Sequence, residues 1–473
     1  MLFYGIVLGG RYVNFGEYFE ECVDNCGKSI SLIAKRIGIN RGGLYHVFKE
    51  SRKIKSDDLF AVIKFIGLSP EKEKKLVNLY FSEYYGKAQY ERILLLKNCI
   101  QSLKPFEQIE KEDIGEFNKS FILKNEDEVI SAVDFVINKS EGGITTNYSF
   151  EQKRIDSLFY YSVQNQKISE FKHIVAIEKD NCSELVKTIF DSMKFLYYQY
   201  FPFFTYVSQV NCQMDIYPYF VLSDKYVVLY NNDDGIFIDN DEAVLLFMQK
   251  VKLILNNCGQ FGSNQGDILD IKNRSVQFAT DEEVMVFDNH PYIGLYQDLE
   301  LFENLAQPNL ENKQVLVQIA HEHYKDISEN SGVKNYLTLG GIDDFIHYGN
   351  VTEIPKKMKT PLSKKQLYKA AVRLYKAFDN ESACMLDNEK FSFSSDFSFE
   401  ANSDTVFFLG SNSKNSDFCT GEVFFAKIEN VQLAEMVKNF GKYLQMSKST
   451  FSKNIALAHM RNRIAGLRAM LDD

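Results

Sequence analysis

No run of the chain approaches the roughly eighteen consecutive apolar residues that a membrane-spanning helix needs. Its apolar start, Leu2 to Leu8, lacks both the length and the basic flank of a signal peptide. Neither membrane insertion nor secretion is expected, and the expected location is cytoplasmic. The eight cysteines (22, 26, 99, 182, 212, 258, 384 and 419) form no CxxC pair, which is the usage of reduced, mostly buried thiols. Cys22 and Cys26, at i,i+4 on a predicted helix, have no histidine nearby to complete a metal site. There is no GxSxG elbow, and the glycines at 259, 262 and 266 lack the GK[ST] and the strand-to-helix setting of a phosphate loop. His321-Glu322-His323 lacks the HExxH spacing, and on a helix its i and i+2 side chains point to different faces. The seven histidines form no recognisable catalytic grouping. No catalytic residue, metal or cofactor is therefore assigned, and the expectation is that the chain is not an enzyme.

What is present begins with size. A chain of 473 residues is too long for one compact core and implies two to four domains of ordinary size. With 45% hydrophobic and 25% charged residues it has the composition of a globular protein, which excludes a disordered or collagen-like chain. The formal net charge of −10 conceals a segregation. Between Lys28 and Lys55 stand eight basic residues (Lys28, Lys35, Arg36, Arg41, Lys49, Arg52, Lys53, Lys55) against a single acid, Glu50. A compact basic patch in an acidic protein is an electrostatic footprint for phosphate.

The pattern beneath that patch is helical. Residues 14 to 80 read as short amphipathic helices broken at Gly27, Gly38, Ser51 and Gly67, each too short to persist without packing on the others. Ser29 is placed to cap ISLIAKRI, whose Ile30, Ile33, Ala34 and Ile37 make an i, i+3, i+4, i+7 stripe. Gly38 ends it, Gly38-Ile39 turns the chain, and Asn40 caps Arg41 to Lys49, which buries Leu44, Val47 and Phe48. Two helices meeting across a glycine turn are a helix-turn-helix unit.

The string from Ser29 to Ser69 resembles the λ-repressor-like, or XRE-type, helix-turn-helix family, and with its flanks the resemblance covers about 55 of the 473 residues. Ala34 matches the small residue where the helices cross, Gly38 the turn glycine, and Leu44 with Val47 the buried positions of the recognition helix. Ser56 is expected to cap a fourth helix carrying Leu59, Val62 and Ile63 to a stop at Gly67-Leu68. The resemblance implies that the second helix enters the major groove of double-stranded DNA while the first crosses the backbone. It puts Arg41, Gly42, Tyr45, His46 and Lys49 where bases are read, with Arg41 able to bond guanine O6 and N7. It puts Lys28, Ser29, Lys35, Asn40, Arg52, Lys53 and Lys55 where phosphates are held. The chain departs from the family at Ile30, where a polar reader is frequent, and at Gly42-Gly43, which costs helix stability by about 1 kcal/mol per glycine.

The rest reads as α+β. Helices fill residues 71 to 104 up to Pro105, and Gly142-Gly143 marks a loop and a boundary. A helix, the strand HIVAIE, a second helix and the run YPYFVLSDKYVVLYNNDDGIFIDND then follow. That run is an antiparallel meander whose turn from Asn231 lacks the ligands of a calcium loop. The aromatic cluster from Phe195 to Val207 is expected in a core. Later segments repeat the grammar without residue identity: helices at Leu310 to Lys325, GIDDFIHYG and LSKKQLYKAAVRLYKAF, strands at KFSFSS, TVFFLG and EVFFAKI, and a closing helix. Leu457, Met460, Ile464, Leu467 and Leu471 mark a docked terminal helix. The fold class expected is α+β multidomain, an N-terminal all-α helix-turn-helix bundle followed by α+β domains with antiparallel strands. Its parts would be a DNA-binding domain at 13–85, a helical linker region at 86–145, an α+β domain at 146–270 and a second at 271–473. Residues 1–12 are either an added strand or an upstream translational extension.

The expected function is a bacterial DNA-binding transcriptional regulator, working as a homodimer. Its large C-terminal region would respond to a small-molecule, peptide or protein effector. The alternative is an interaction scaffold whose basic head makes protein contacts.

Overall fold

A computed structural model describes residues 14–102, 120–140, 142–164, 167–177, 181–196, 203–206, 217–260, 283–291, 299–309, 332–349, 360–392, 397–411, 423–472 and parts of 312–325. The chain is an α+β multidomain protein in two compact units, Met1–Leu96 with Asn439–Ser449 and Lys97–Lys438 with Thr450–Asp473. Residues 1–12 lie outside the described residues.

The first unit is helical. It contains α1 (Phe15–Asp24), α2 (Ile30–Arg36), α3 (Arg41–Phe48), α4 (Ser56–Ile66), α5 (Pro70–Tyr85) and the start of α6 (Lys87–Ser102). Helices α1 to α4 are each too short to stand alone, and the apolar stripes hold them together. Phe19, Val23, Ile33, Leu44, Val47, Phe48, Leu59, Val62, Leu76 and Phe81 are all buried, each large side chain contributing about 1.5–3 kcal/mol. Rings lock the centre: Phe19 meets Phe48 edge-on at 5.4 Å, and Phe15 meets Tyr80 at 5.4 Å. The α2–α3 turn is a Schellman stop. Gly38 takes φ +69°, and the N–H groups of Ile39 and Gly38 bond the carbonyls of Ala34 and Lys35. Ser29 accepts from Leu32 N–H and Asn40 from Gly43 N–H, as the caps require. Ser56 is not a cap. The extended residue before α4 is Lys55, and Ser56 is already its first helical residue, so that helix starts without a side-chain cap.

The second unit holds two mixed sheets. Its first half has β1 (Phe121–Leu123), α7 (Glu126–Lys139), β2 (Gly143–Thr146), α8 (Lys153–Gln164), β3 (Glu170–Ile177), α9 (Cys182–Leu196) and β4 (Phe203–Tyr206). The meander β5 (Tyr219–Leu222), β6 (Val227–Tyr230), β7 (Gly235–Ile238) follows, then α10 (Asp241–Leu255) and β8 (Gly259–Gln260). Its second half has β9 (Glu283–Asp288), α11 (Leu299–Leu305), β10 (Gly332–Thr338), α12 (Leu339–Tyr348), α13 (Lys364–Asp379) and β11 (Ala383–Leu386). It continues through β12 (Phe397–Ala401), β13 (Thr405–Ser411), β14 (Val423–Glu429), the start of α14 (Val431–Met446), whose end from Asn439 belongs to the first unit, and α15 (Lys453–Asp472). The strand orders are β1-β7-β6-β5-β2-β3-β4-β8 and β11-β10-β9-β12-β13-β14.

These orders contain one winding used twice. In each, three parallel strands joined by helices (β2, β3, β4; β9, β10, β11) are followed by three antiparallel strands, the first of which pairs with the first parallel strand. A helix, α10 or α14, comes next in both. The expected antiparallel strands make half of each repeat, and parallel strands make the other half. The parallel strands of the second sheet escape a reading by alternation, because runs such as EVMVFD are buried on both faces. On one face of that sheet Tyr336, Phe287, Phe399 and Phe408 form a ladder of rings, with Phe287 4.6 Å from Tyr336 and 4.5 Å from Phe399. On the other, Leu337, Ala383 and Met385 pack with α12, α13 and α15.

The segment at Asn231 is a hairpin turn, in which the Asn231 side chain accepts from the N–H groups of Asp233 and Asp234. Of the strand expected around KFSFSS, Phe391 and Ser392 are irregular and the following residues lie outside the described ones, while β12 runs Phe397–Ala401 with Phe397 and Phe399 buried. The terminal helix docks through buried Leu457, Met460 and Leu467, while Leu471 stays exposed. Of the aromatic cluster from Phe195 to Val207, Phe195 is buried and most of the rest lies outside the residues whose side chains are described.

Candidate nucleic-acid interface

Helix α3 divides cleanly by face. At 100° per residue, Gly43, Leu44, Val47 and Phe48 fall on one side and are buried, while Arg41, Gly42, Tyr45, His46 and Lys49 fall on the other. All five base readers expected from the sequence thus share one face, with Arg41, Gly42, His46 and Lys49 exposed and Tyr45 half-buried. Arg41 is held over its neighbour one turn on. Its Nη2 donates to Tyr45 Oη at 3.2 Å, with the guanidinium 5.5 Å from the ring, and that hydrogen bond raises the already high pKa of Arg41. Tyr45 in turn rests edge-on against buried Phe48 at 5.9 Å. His46 Nδ1 lies 3.0 Å from Ser51 Oγ, and Ser51 Oγ and Arg52 N–H both donate to the His46 carbonyl, folding the basic loop back onto the end of α3.

The two glycines have different reasons. A Cβ at Gly43 would stand 3.0 Å from Arg52 Nη1 and 3.3 Å from the capping Asn40 Oδ1, so glycine there lets the cap and Arg52 close on the helix start. Gly42 is open apart from Asn40 Oδ1 at 3.6 Å and leaves bare backbone on the exposed face. Of the expected phosphate contacts, Ser29 and Asn40 are caps, and Lys35, Arg52, Lys53 and Lys55 are exposed at the helix ends and loop. Lys28 is engaged elsewhere, donating to the Phe65 carbonyl with its ammonium 4.1 Å from the Phe65 ring centre. Lys49 pairs with Glu20 of α1 at 3.1 Å, a surface pair of small energetic weight. Neither Glu20 nor Phe65 is legible as a partner in the sequence, since each lies more than twenty-five residues from its cation.

A second gathering of titratable groups has no counterpart in the sequence reading. It forms around adjacent aspartates of α12. Buried His290, just past β9, has Nε2 2.8 Å from Asp344, and Asp343 takes both Nε and Nη2 of Arg463 and the Nε2 of His459 from α15. Burial opposes the ionised form of Asp343, but the hydrogen bonds from Arg463 and His459 outweigh it and hold the carboxyl below its ordinary range. Asp288 is fully buried and pushed well upward by desolvation, although it accepts the His290 N–H at 3.0 Å. His290 Nδ1 is buried with no partner among the described residues. His290 and His459 converge here from distant parts of the chain, which no local spacing could reveal. Among the described residues no group of three or more His, Cys, Asp or Glu could hold a metal ion. Of the His321-Glu322-His323 trio, His323 lies outside the described residues.

No family model matches the chain, and no curated protein matches it. Among solved structures it is similar to TrmBL2, described as an archaeal chromatin protein with a novel mode of DNA binding. The identity is 12% and the TM-score 0.22, over 52% of this chain and 93% of that one. It is also similar to the phosphatidylserine synthase of Haemophilus influenzae, at 10% identity and a TM-score of 0.22, over 76% of this chain and 91% of that one. The second likeness corrects the expectation that the chain is not an enzyme, because a matched structure is one, and that expectation is withdrawn. At these TM-scores neither likeness assigns an activity to this chain. Among the described residues, no helix is long and apolar enough to cross a membrane.

Proposed function

We propose that the chain is a bacterial, cytoplasmic transcriptional regulator whose residues 13–85 form an XRE-type helix-turn-helix head that reads double-stranded DNA. The observation that carries this reading is the exposed face of α3. Arg41, Gly42, Tyr45, His46 and Lys49 lie together on it, while Lys35, Arg52, Lys53 and Lys55 stand exposed at the helix ends and loop. Arg41 would read a guanine edge and Gly42 would admit close approach, with the capped starts of α2 and α3 turned to phosphate. In this reading the head acts in pairs as a homodimer. The regions at 146–270 and 271–473, joined to it through 86–145, would answer a small-molecule, peptide or protein effector by shifting that pairing.

The test is selection of bound fragments from a randomised DNA pool by the full-length protein near physiological salt, beside Arg41→Ala and Lys53→Ala. The expected result is an enriched palindrome with half-sites about one helical turn apart. Arg41→Ala should relax one base pair per half-site, at about 1–3 kcal/mol, and Lys53→Ala should weaken all sequences alike. Folded protein that enriches nothing, alone and as the isolated head, would point instead to a scaffold with a basic protein-contact surface.

A further inference from the structure

The helical unit is closed by a segment from far along the chain. Residues Asn439–Ser449, the end of α14 and the turn after it, belong with Met1–Leu96, whereas Lys438 before them and Thr450 after them belong to the second unit. The seat of this segment is aromatic. Tyr443 stands edge-on to Phe81 of α5 at 5.0 Å and lies 5.9 Å from Tyr90 of α6, and Tyr85 Oη donates to Met446 Sδ at 3.6 Å. Phe440, Tyr443 and Leu444, at i, i+3 and i+4 on one face of the helix, are all buried. Burial, with neighbouring phenols, pushes the hydroxyls of Tyr85 and Tyr90 well above their ordinary range, as a dry contact requires. Lys448 reaches a third helix, pairing with Asp57 in the first turn of α4, which starts without a side-chain cap.

Both ends of the segment are tied to the second sheet. Upstream, α14 follows β14 directly, and Leu433, Ala434, Met436 and Val437 of its first turns are buried. Downstream, α14 stops at Lys448, whose φ of +58° is left-handed, and the Ser449 N–H closes the turn on the Leu444 carbonyl. The chain then joins β11 at once: Thr450 bridges to Leu386, and the Phe451 N–H donates to the Met385 carbonyl at 2.8 Å. Strands β14 and β11 are the two edges of that sheet. The segment is thus a strap fastened at both edges of one sheet and seated in the core of the helical unit.

We propose that Asn439–Ser449 is a control strap: it completes the core of the DNA-reading head, and the C-terminal region acts on the head by tightening or loosening its seat. A change that moves one edge of the second sheet against the other pulls on the strap, and whatever unseats Tyr443 strips Phe81 and Tyr90 of a packing partner. Coupling of this kind runs both ways, so the state of the head also biases the anchors. The strap deepens the regulator reading, on which it rests, by naming the element through which the effector region reaches the head.

The experiment is hydrogen exchange, read peptide by peptide by mass spectrometry, on the full-length protein and on two variants, Tyr443→Ala at the seat and Leu433→Ala at the upstream anchor. Tyr443→Ala is expected to speed exchange in α4, α5 and the start of α6 about tenfold or more, with β9 and β10 as protected as in the wild type. Leu433→Ala, although Leu433 belongs to the second unit, should speed exchange in the same peptides. Should either variant lose protection in β9 and β10 as well, Met446→Ala or Leu433→Val, a smaller change at the same place, replaces it. Exchange in α4 to α6 that the seat variant leaves unmoved, or that responds to the seat variant and not to the anchor variant, overturns the strap. Tyr443→Ala should also bind the selected DNA less tightly. A wild type that selects no DNA would undo the head's reading, and the exchange result, which needs no DNA, would still judge the strap.

Discussion

Glycine and aspartate show how much one residue's meaning depends on neighbours distant in sequence. Gly341 and Gly466 both sit in helices, yet a Cβ on Gly341 would stand 1.4 Å from the Asn289 carbonyl oxygen, while one on Gly466 would meet nothing within 4 Å. Gly341→Ala is therefore expected to cost about 3 kcal/mol, and Gly466→Ala to stabilise by about 0.5–1 kcal/mol through helix propensity. Denaturant titration of both variants tests the pair, and equal effects would refute the assignment. Asp288 has its own test. Its folded pKa is raised above the unfolded value, so its favourable contribution is present below the unfolded value and is lost as pH rises through the folded one. Asp288→Asn, which keeps an acceptor for the His290 N–H, should raise Tm at about pH 8 relative to wild type and gain less at about pH 4. A difference in Tm that does not vary with pH would show that burial does not hold this carboxyl protonated.

At the level of elements, the head follows local rules closely. Its helices begin at Ser29 and Asn40 and stop at the left-handed Gly38 and Gly67, each for a reason present within about four residues of the spot. Ser29→Ala should cost about 1 kcal/mol through the lost cap, and Gly38→Ala about 1 kcal/mol through its positive φ. Thermal melts should show both losses, and an unchanged Tm for Gly38→Ala would mean that the turn adopts another conformation. The meander strands β5 to β7 are legible in the sequence as well, because turns at Ser223 and Asn231 punctuate them. The parallel strands β9, β10 and β11 are not. A strand covered on both faces carries no alternation, and its partners lie across helical crossovers tens of residues away.

Across the whole molecule the duplicated winding is the largest feature that no residue pattern announces. Topology can repeat where side chains do not, because strand order depends on which apolar faces need covering rather than on residue identity. The same limit applies to the clusters. The basic face of α3 is legible because its members lie within one short helix, where 100° per residue makes neighbours of particular side chains. The joining of His290 and His459 at adjacent aspartates of α12 is not, since those contacts span 54 and 116 residues. Local sequence was enough for the helical head, its caps at Ser29 and Asn40 though not at Ser56, its glycine turns, the basic face and the α+β class, all products of short-range backbone geometry and hydrophobic period. The parallel pairings, the repeat, the engagement of Lys28 and Lys49 and the burial of Asp288 came only with the folded arrangement. Each of those depends on long-range packing, whose partners are set by which surfaces remain to be buried once the local elements have formed.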